Sequence, residues 1–427
     1  MADYLAMDKA ALEAERASLL AAYEGYVARG LSLDMSRGKP STEQLDLSMG
    51  MMDVLSSEDD LICEDGTDCR NYGVLDGIRE AKELIADMIE VSPDNIIIYG
   101  NSSLNVMYDT ISRAMLHGVY GSPSPWCRLE KVKFLCPVPG YDRHFAITEL
   151  FGIEMIPIQM GSNGPDMEEV RRYVESDPAV KGIWCVPKYS NPTGITYSDD
   201  TVRAFAALKP AAKDFRIYWD NAYCVHHLTD TPDVLLNIFD ACREYKSEDM
   251  VYEFTSTSKI SFSGAGIAVI AASDTNMADL KKKRTIQTIG PNKVVQLMHA
   301  RYFHDAAGIA AHMEKHRALL APKFEAVLSA LDAELAPLGI ASYSRPNGGY
   351  FISFDTLSGC ASRVGELCKK AGVVLTTVGA TFPYGKDPQD TNIRIAPSFP
   401  PIEELRAAVA VFCTSVRLAS LEKLMAA

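Results

Sequence analysis

The sequence predicts an α/β protein whose main sheet has seven mostly parallel strands flanked by helices. Short apolar runs recur between residues 95 and 272, and helical or loop segments separate them. That alternation is typical of crossover connections between parallel strands. With 427 residues, of which 47% are hydrophobic, the chain is long enough for two domains with sizeable cores. We therefore expect a large domain built on this sheet and a smaller α/β domain beside it.

The individual elements follow from local patterns. Residues 9–29 carry Ala, Leu and Glu at helical spacing, and the Gly and Pro residues between positions 36 and 41 end that helix. A second helix is predicted at residues 76–91. The seven predicted strands are 95–99, 132–135, 153–159, 182–186, 215–219, 250–254 and 267–272.

The C-terminal third predicts most of the smaller domain. A helical stretch at 291–335 leads through Arg345-Pro346-Asn347-Gly348-Gly349 into a strand. Further strands are predicted at 373–377 and 392–396, followed by a closing helix at 401–424. We predict a small domain made of residues 1–60 and 295–427, and a large domain made of residues 61–294.

Composition argues against several functional classes. The formal net charge of −14 disfavours nucleic acid and anionic membranes as partners. The N-terminus lacks an export-signal pattern and no apolar run reaches about 18 residues, so we expect a cytoplasmic protein without a membrane partner. The ten cysteines form no C-x-x-C pair, which disfavours a zinc site or a disulfide framework. His312 and His316 lack the H-E-x-x-H order, and we interpret them as surface residues and expect no metal.

Lys259 lies in Thr257-Ser258-Lys259-Ile260-Ser261, directly after the predicted strand 250–254. A lysine among hydroxyl residues can form an imine with an aldehyde while the hydroxyls bind an anion, as pyridoxal phosphate requires. A single lysine is more often a solvated surface charge. The hypothesis therefore depends on other segments.

Four further residues support it. Asp220 follows the strand 215–219, at the end where open α/β sheets bind ligands, and can keep a pyridine nitrogen protonated while Tyr223 reaches the ring oxygen. Asn191, held before Pro192, can donate to the same oxygen. Arg394 lies in an apolar stretch, and its planar guanidinium can bind a carboxylate through two hydrogen bonds. A helix cap, a turn or a structural ion pair is the alternative interpretation of each residue alone.

Together these segments resemble fold type I pyridoxal-phosphate aminotransferases from about residue 36 to residue 399. The closest resemblance is to the bacterial aspartate aminotransferase branch grouped with the MocR-type aminotransferase domain, and the five residues follow the family's order. The resemblance implies that Lys259 is the Schiff-base lysine and proton carrier and that Asp220 pairs with the pyridine nitrogen. It also implies that Asn191 and Tyr223 bond the ring oxygen and that Arg394 binds the substrate's α-carboxylate.

The resemblance also implies a phosphate site. Ser102 and Ser103 open a helix after the strand 95–99, where an anion is favoured. Family members usually carry an arginine in a Gly-x-Arg-x-Gly segment after the lysine, but this chain has Gly266 there. The phosphate must then be bound by hydroxyls from these two serines and from Ser256 and Ser258, with Lys188 as a further candidate cation.

Other positions follow from the same resemblance. Tyr141 is expected to stack on the cofactor ring, and His144 to support Asp220. Tyr72 is expected to reach the phosphate of the partner subunit in a homodimer. Gly38, in a loop that begins at Arg37, is expected to lie over the substrate.

The predicted reaction is a ping-pong transamination of aspartate with 2-oxoglutarate, giving oxaloacetate and glutamate. Aspartate requires a second cation, for which Arg143 is the first candidate, followed by Arg37 and Arg284. Without such a cation, an aminotransferase for aromatic amino acids, kynurenine or alanine fits better. A fold type I lyase or decarboxylase would share Lys259 and Asp220. A non-enzymatic module like MocR-type effector domains is disfavoured because no DNA-binding segment precedes residue 36.

Overall fold

The computed structural model describes residues 3–426, and its strands and helices form one central sheet, two small sheets and surrounding helical layers. The strands are β1 Leu33–Asp34, β2 Ile96–Ile98, β3 Lys133–Val138, β4 Glu154–Gly161, β5 Gly164–Pro165, β6 Val180–Cys185, β7 Arg216–Asp220, β8 Val251–Ser256, β9 Ala268–Ala272, β10 Ala341–Tyr343, β11 Ile352–Thr356, β12 Val373–Val374 and β13 Asn392–Ile395. The helices are α1 Lys9–Ala28, α2 Thr42–Asp46, α3 Arg79–Ile89, α4 Ser103–His117, α5 Asp142–Leu150, α6 Met167–Ser176, α7 Asp199–Ala206, α8 Ile238–Tyr245, α9 Asp274–Gln287, α10 Lys293–Phe303, α11 Ala306–Glu334, α12 Ala361–Lys370 and α13 Ile402–Ala426.

The central sheet has the strand order β2-β9-β8-β7-β6-β3-β4-β5. The pairs from β8 through to β4 are parallel, whereas β9 is antiparallel to both of its neighbours and β5 is antiparallel to β4. All seven predicted strands are present, which confirms the α/β class. The sheet has one strand more than predicted, because a two-residue strand such as β5 is too short to show a periodic pattern.

Four strands in the middle of the sheet are buried on both faces. Every residue of β6, β7 and β8 is buried, and so is every residue of β9. This explains why these segments are continuous apolar runs rather than alternating ones. On one face, the rings of Phe134, Trp184 and Tyr218 pack together with centroids 4.8 to 5.6 Å apart. The sheet is therefore a rigid platform for the residues at its strand ends.

The two small sheets combine segments that are distant in the sequence. β1 pairs in parallel with β12, and β11 lies between β10 and β13 in an antiparallel sheet. Their core also contains residues from α1, α11, α12 and α13. We keep the division into 1–60 with 295–427 and 61–294 as a proposal, which this shared core supports.

The predicted helical stretch 291–335 is two helices instead of one. α10 ends before His304, which has a positive φ of 63°. Asp305 then caps α11, since its side chain accepts a hydrogen bond from the Gly308 amide at 2.8 Å. This is the ordinary side-chain chemistry of a helix start. No helix within residues 3–426 has both the length and the apolar character needed to cross a membrane.

Gly182 offers a test of the packing between β3 and β6, where it lies opposite Phe134. A Cβ atom at this position would lie 2.3 Å from Cζ of the Phe134 ring, which is itself enclosed by Trp184 and Tyr218. We expect Gly182→Ala to lower the free energy of unfolding by about 1–3 kcal/mol, because a packed core resists added volume. Thermal or urea unfolding measures the change.

Gly25→Ala is the matched control. Gly25 lies in α1, and a Cβ atom there would meet no atom of residues 3–426 within 4 Å. This substitution should raise the free energy of unfolding by about 0.5–1 kcal/mol, because alanine is the better helix former. Equal stability of Gly182→Ala and the parent protein would contradict the packing described here.

Candidate active site

Four of the sequence-predicted site residues lie at one edge of the central sheet. Asp220 is the last residue of β7, and Lys259 follows β8 in a 3₁₀ turn, Thr257–Lys259. Asn191 follows β6 and Tyr141 follows β3. The carboxyl ends of parallel strands meet at one edge, which is where open α/β sheets bind ligands. Local strand direction alone therefore brings these side chains together.

Asp220 is a buried carboxylate with one oxygen bound and one oxygen free. Its Oδ2 lies 2.9 Å from Nε2 of His144, whose ring stacks on Trp184 with centroids 4.4 Å apart. Its Oδ1 is buried and has no hydrogen-bond partner within residues 3–426. A buried acceptor without a donor is costly. The site therefore fits a ligand that presents a hydrogen-bond donor to this oxygen, as a protonated pyridine nitrogen does.

Lys259 is only partly accessible, and its Nζ lies 5.1 Å from the centroid of the Tyr223 ring. Burial lowers the pKa of Lys259 below its usual value, and the negative charge of Asp220 opposes that shift. The environment thus favours the neutral amine, which is the form that can attack an aldehyde or accept a proton.

A buried hydrogen-bond network supports the backbone around Lys259. The Tyr350 hydroxyl donates to the Lys259 carbonyl at 3.4 Å and accepts from Nε2 of Gln44 at 2.9 Å. The same Gln44 nitrogen lies 3.1 Å from Nδ1 of His316. The network ties the lysine turn to the N-terminal segment and to α11.

The interpretation of His312 and His316 as surface residues is wrong. They are 3% and 1% exposed, and their Nε2 atoms lie 3.2 Å apart. His312 Nε2 also lies 3.0 Å from the Ile260 carbonyl, next to Lys259. Burial lowers the pKa of His316 to about 4. The spacing in α11 was visible in the sequence, but the segment that covers this face comes from residues 41–48, far away along the chain.

Asn191 and Arg394 lie next to each other. Nη1 of Arg394 donates to Oδ1 of Asn191 at 3.1 Å and to Oδ1 of Asp142 at 2.7 Å. Arg394 comes from β13, and its guanidinium lies over the ring of Phe351 at 4.8 Å. Tyr223 is buried nearby, and burial raises the pKa of its hydroxyl. The site thus combines an arginine from the small sheet with residues of the central sheet.

The predicted phosphate hydroxyls lie around the start of α4. Ser102 is the N-cap residue of this helix, but its side chain makes no capping hydrogen bond among the described residues, and Ser103 is the first helical residue. Ser258 Oγ donates to the Asn101 carbonyl at 2.5 Å and lies 3.0 Å from Ser256 Oγ. Hydroxyls and backbone amides at a helix N-terminus form a favourable anion site.

Gly266 is packed too closely to be replaced by an arginine without rearrangement. A Cβ atom there would lie 3.0 Å from Thr257 Oγ1 and 3.2 Å from the Ser258 amide nitrogen. Lys188, the other candidate cation, donates to the Cys224 carbonyl at 3.0 Å and lines a cavity of about 280 Å³ with Asn221. Burial lowers the pKa of Lys188.

The remaining predicted positions differ in exposure. Tyr141 packs edge-on against His144 with centroids 4.8 Å apart, and burial raises its pKa. Gly38 lies against Phe351, because a Cβ atom there would be 2.3 Å from the ring. Tyr72 is 81% exposed.

The three candidate side-chain cations also lie in different environments. Arg143 and Arg37 are exposed. Arg284 is buried; it donates to the Ile98 carbonyl at 2.7 Å, and its guanidinium lies 3.9 Å from the centroid of the Tyr99 ring.

Glu253 is a buried acid that the sequence analysis missed. It lies in β8, opposite Trp219 of β7, and its Oε1 accepts a hydrogen bond from Nδ2 of Asn221 at 2.9 Å. Burial raises the pKa of its carboxyl to about 8. The only signal in the sequence was a charged residue inside an otherwise uncharged strand. That strand, β8, pairs with β7, which ends at Asp220.

Comparison with known proteins gives concordant matches. A family model described as aspartate aminotransferase matches residues 7–427. An aspartate aminotransferase from Corynebacterium glutamicum is 47% identical to this chain over 94% of it and 92% of the relative. A crystal structure of an aspartate transaminase from the same organism has a TM-score of 0.95 and 45% identity, covering 98% of both chains.

A more distant structure shares the fold. The α-aminoadipate aminotransferase of Thermus thermophilus, complexed with N-(5'-phosphopyridoxyl)-L-leucine, has a TM-score of 0.74 and 18% identity, covering 94% of this chain and 95% of that one.

Glu253 generates a pH prediction. Its pKa is higher in the folded than in the unfolded state, so the stabilisation it contributes is present at low pH and is lost as the pH rises from about 4.3 to about 8. Glu253→Gln removes the titrating group. We expect its free energy of unfolding, relative to the parent protein, to increase by up to about 1.4 kcal/mol per pH unit in this interval.

Unfolding at pH 5.5, 7 and 8.5 measures this effect. Glu244→Gln, at an exposed position of α8, is the control for the loss of one carboxylate at the surface. Parallel pH curves for Glu253→Gln and the parent would show that the carboxyl is not held neutral.

Proposed function

The chain belongs to the aspartate aminotransferase family, and from this premise we propose that it transfers the amino group of aspartate to 2-oxoglutarate, giving oxaloacetate and glutamate. The main support for aspartate as the amino donor is the 47% identity, over nearly the whole chain, with the C. glutamicum aspartate aminotransferase. The finer relation to MocR-type domains stays a prediction.

The residues of the site fit pyridoxal phosphate. Oδ1 of Asp220, which has no hydrogen-bond partner in the described part of the chain, matches a protonated ring nitrogen, and the helix start at Ser102 matches the phosphate. When bound, the cofactor supplies an aldehyde that takes up the amino group and a ring that withdraws electrons from the substrate's α-carbon. Asp220 would hold the counter-charge, and Lys259 would be the attachment point.

The chain's own groups divide the remaining work. Lys259, with a lowered pKa, would carry a proton between the substrate and the cofactor. His144 would keep Asp220 oriented, because its hydrogen bond and its stacking on Trp184 restrict the carboxylate. Arg394 would bind the α-carboxylate beside Asn191.

Further residues from other parts of the chain would contact the cofactor and the substrate. Tyr223 would bond the ring oxygen, and Tyr141 would stack on the ring. Ser103, Ser256 and Ser258 would add hydroxyls at the phosphate.

We further propose a homodimer in which Tyr72 reaches the partner's phosphate, which the 81% exposure of its side chain in the single chain supports. Gly38 would lie over the substrate, next to the Phe351 ring that supports Arg394.

Arg143 is the proposed site for the side-chain carboxylate of aspartate. It follows Asp142, whose carboxylate touches Arg394, so its backbone lies beside the α-carboxylate position. Arg37 is the second candidate, because it precedes Gly38. Arg284 is less suited, because its guanidinium is already engaged at Ile98 and Tyr99.

The reaction itself is tested by absorbance. Purified protein loaded with pyridoxal phosphate should change its visible spectrum when aspartate is added and recover when 2-oxoglutarate is added. Lys259→Ala should lower turnover by about 10²–10⁴ or more, because the proton carrier is removed. Lys213→Ala, at an exposed lysine, is the control and should retain full turnover. A parent protein that binds the cofactor but does not respond to any amino acid would refute the proposal.

Donor choice is tested by substituting Arg143. We expect Arg143→Ala to raise KM for aspartate about tenfold or more, the effect of losing about 1.4 kcal/mol of binding, with little change for alanine or an aromatic donor. Arg171→Ala, at an exposed arginine of α6, is the control. Equal changes for all donors would exclude Arg143 and move the search to Arg37. Preferred turnover of an aromatic amino acid, kynurenine or alanine, or release of ammonia or carbon dioxide without a keto acid, would replace the proposed reaction.

A further inference from the structure

Arg394 already has a carboxylate partner in this structure. Oδ1 of Asp142 lies 2.7 Å from Nη1 of Arg394, and the two side chains are 29% and 7% exposed. The same Nη1 also donates to Asn191, and Nε donates to Thr376 Oγ1 at 3.4 Å. Arg394 is therefore a buried guanidinium whose charge is compensated from the more open side by Asp142.

The position of Asp142 is determined by the fold. It is the first residue of α5, between Tyr141 and the residues that lead to His144. The ring of Tyr141 contacts the ring of His144, and His144 is hydrogen-bonded to Asp220. These two contacts keep the start of α5 in place. The Asp142 carboxylate is thus placed against the buried guanidinium while remaining partly exposed itself.

A substrate α-carboxylate needs the same guanidinium. A carboxylate binds arginine best through two parallel hydrogen bonds, and one of the arginine nitrogens is already shared by Asp142 and Asn191. Two carboxylates on one guanidinium repel each other. A substrate carboxylate on this guanidinium therefore competes with the Asp142 carboxylate, whose partial exposure leaves it room to move toward solvent.

We propose that Asp142 sets the affinity of this enzyme for its substrates by occupying Arg394 until an α-carboxylate displaces it. This inference rests on the proposed function, since it takes Arg394 as the α-carboxylate site. Asp142 keeps the buried guanidinium paired and oriented while no substrate is bound. If Asp142 occupies Arg394 in about 90% of substrate-free molecules, the apparent Kd is about tenfold weaker than the intrinsic one.

The competition has a definite kinetic consequence. Displacement precedes the chemical step and affects the bound substrate and the transition state equally, so it changes KM and leaves kcat unchanged. It also acts on every amino acid and keto acid, because all share the carboxylate. A residue that recognised the side chain would discriminate between donors, whereas Asp142 should not.

The test uses Asp142→Asn, which retains the side-chain shape and removes the charge. We expect KM for aspartate, alanine and 2-oxoglutarate each to fall about tenfold with kcat unchanged. Succinate, an unreactive dicarboxylate, should bind about tenfold more tightly to the full chain without cofactor, measured by calorimetry. A KM and a succinate Kd that stay the same or rise would overturn the inference.

Controls separate this role from helix stability. Asp166→Asn removes a carboxylate that accepts hydrogen bonds from the Glu168 and Glu169 amides at the start of α6, and it should leave KM and succinate binding unchanged. Asp142→Ser provides a second uncharged variant that still suits a helix start, in case the amide variant folds poorly. In the Arg394→Gln background, Asp142→Asn should no longer improve binding, and a retained improvement would contradict direct competition.

The two proposals fail in distinguishable ways. If the parent protein turns over no amino acid, the proposed function is wrong, whatever Asp142 does. If it turns over aspartate normally and Asp142→Asn changes neither KM nor succinate binding, only the role of Asp142 is refuted.

Discussion

The buried carboxylate of Asp220 is the constraint on which the site depends. A charge at the end of a central strand is tolerated only if it is paired, and His144 supplies one partner at 2.9 Å while Oδ1 is left open. The pair is held rigidly because His144 stacks on Trp184, which belongs to the aromatic cluster of the sheet. A rigid, half-satisfied acid is well suited to holding a cationic ring and costly without one.

The rest of the site is assembled from segments that the sheet alone cannot bring together. Arg394 lies on β13. The Lys259 carbonyl is hydrogen-bonded to the Tyr350 hydroxyl, which in turn accepts a hydrogen bond from Gln44. Both supports belong to the proposed small domain, so the proposed catalytic lysine and the proposed carboxylate-binding arginine depend on how this domain packs on the large one. His316 extends the support into α11. A change at the domain contact can therefore alter the site without touching any residue that meets the substrate.

Much of the fold was predictable because its signals are local. Seven of the eight strands of the central sheet are apolar runs of the right length, and their direction places Asp220 and Asn191 at the same edge. Among the features that escaped prediction, two have a clear physical reason. β5 has too few residues to show a period, and the break between α10 and α11 depends on one residue, His304, with a positive φ that helical spacing does not reveal.

The sequence by itself determined the α/β class, the order of the strands along the chain, and the chemical types at each strand end, because these depend on neighbouring residues and on the direction of the chain. Only the tertiary structure decided that His312 is buried, that burial raises the pKa of Glu253 to about 8, and that Asp142 meets Arg394. Each of these depends on which distant segment covers a given side chain. Desolvation and charge pairing act through space, and the distance between two residues along the chain does not report them.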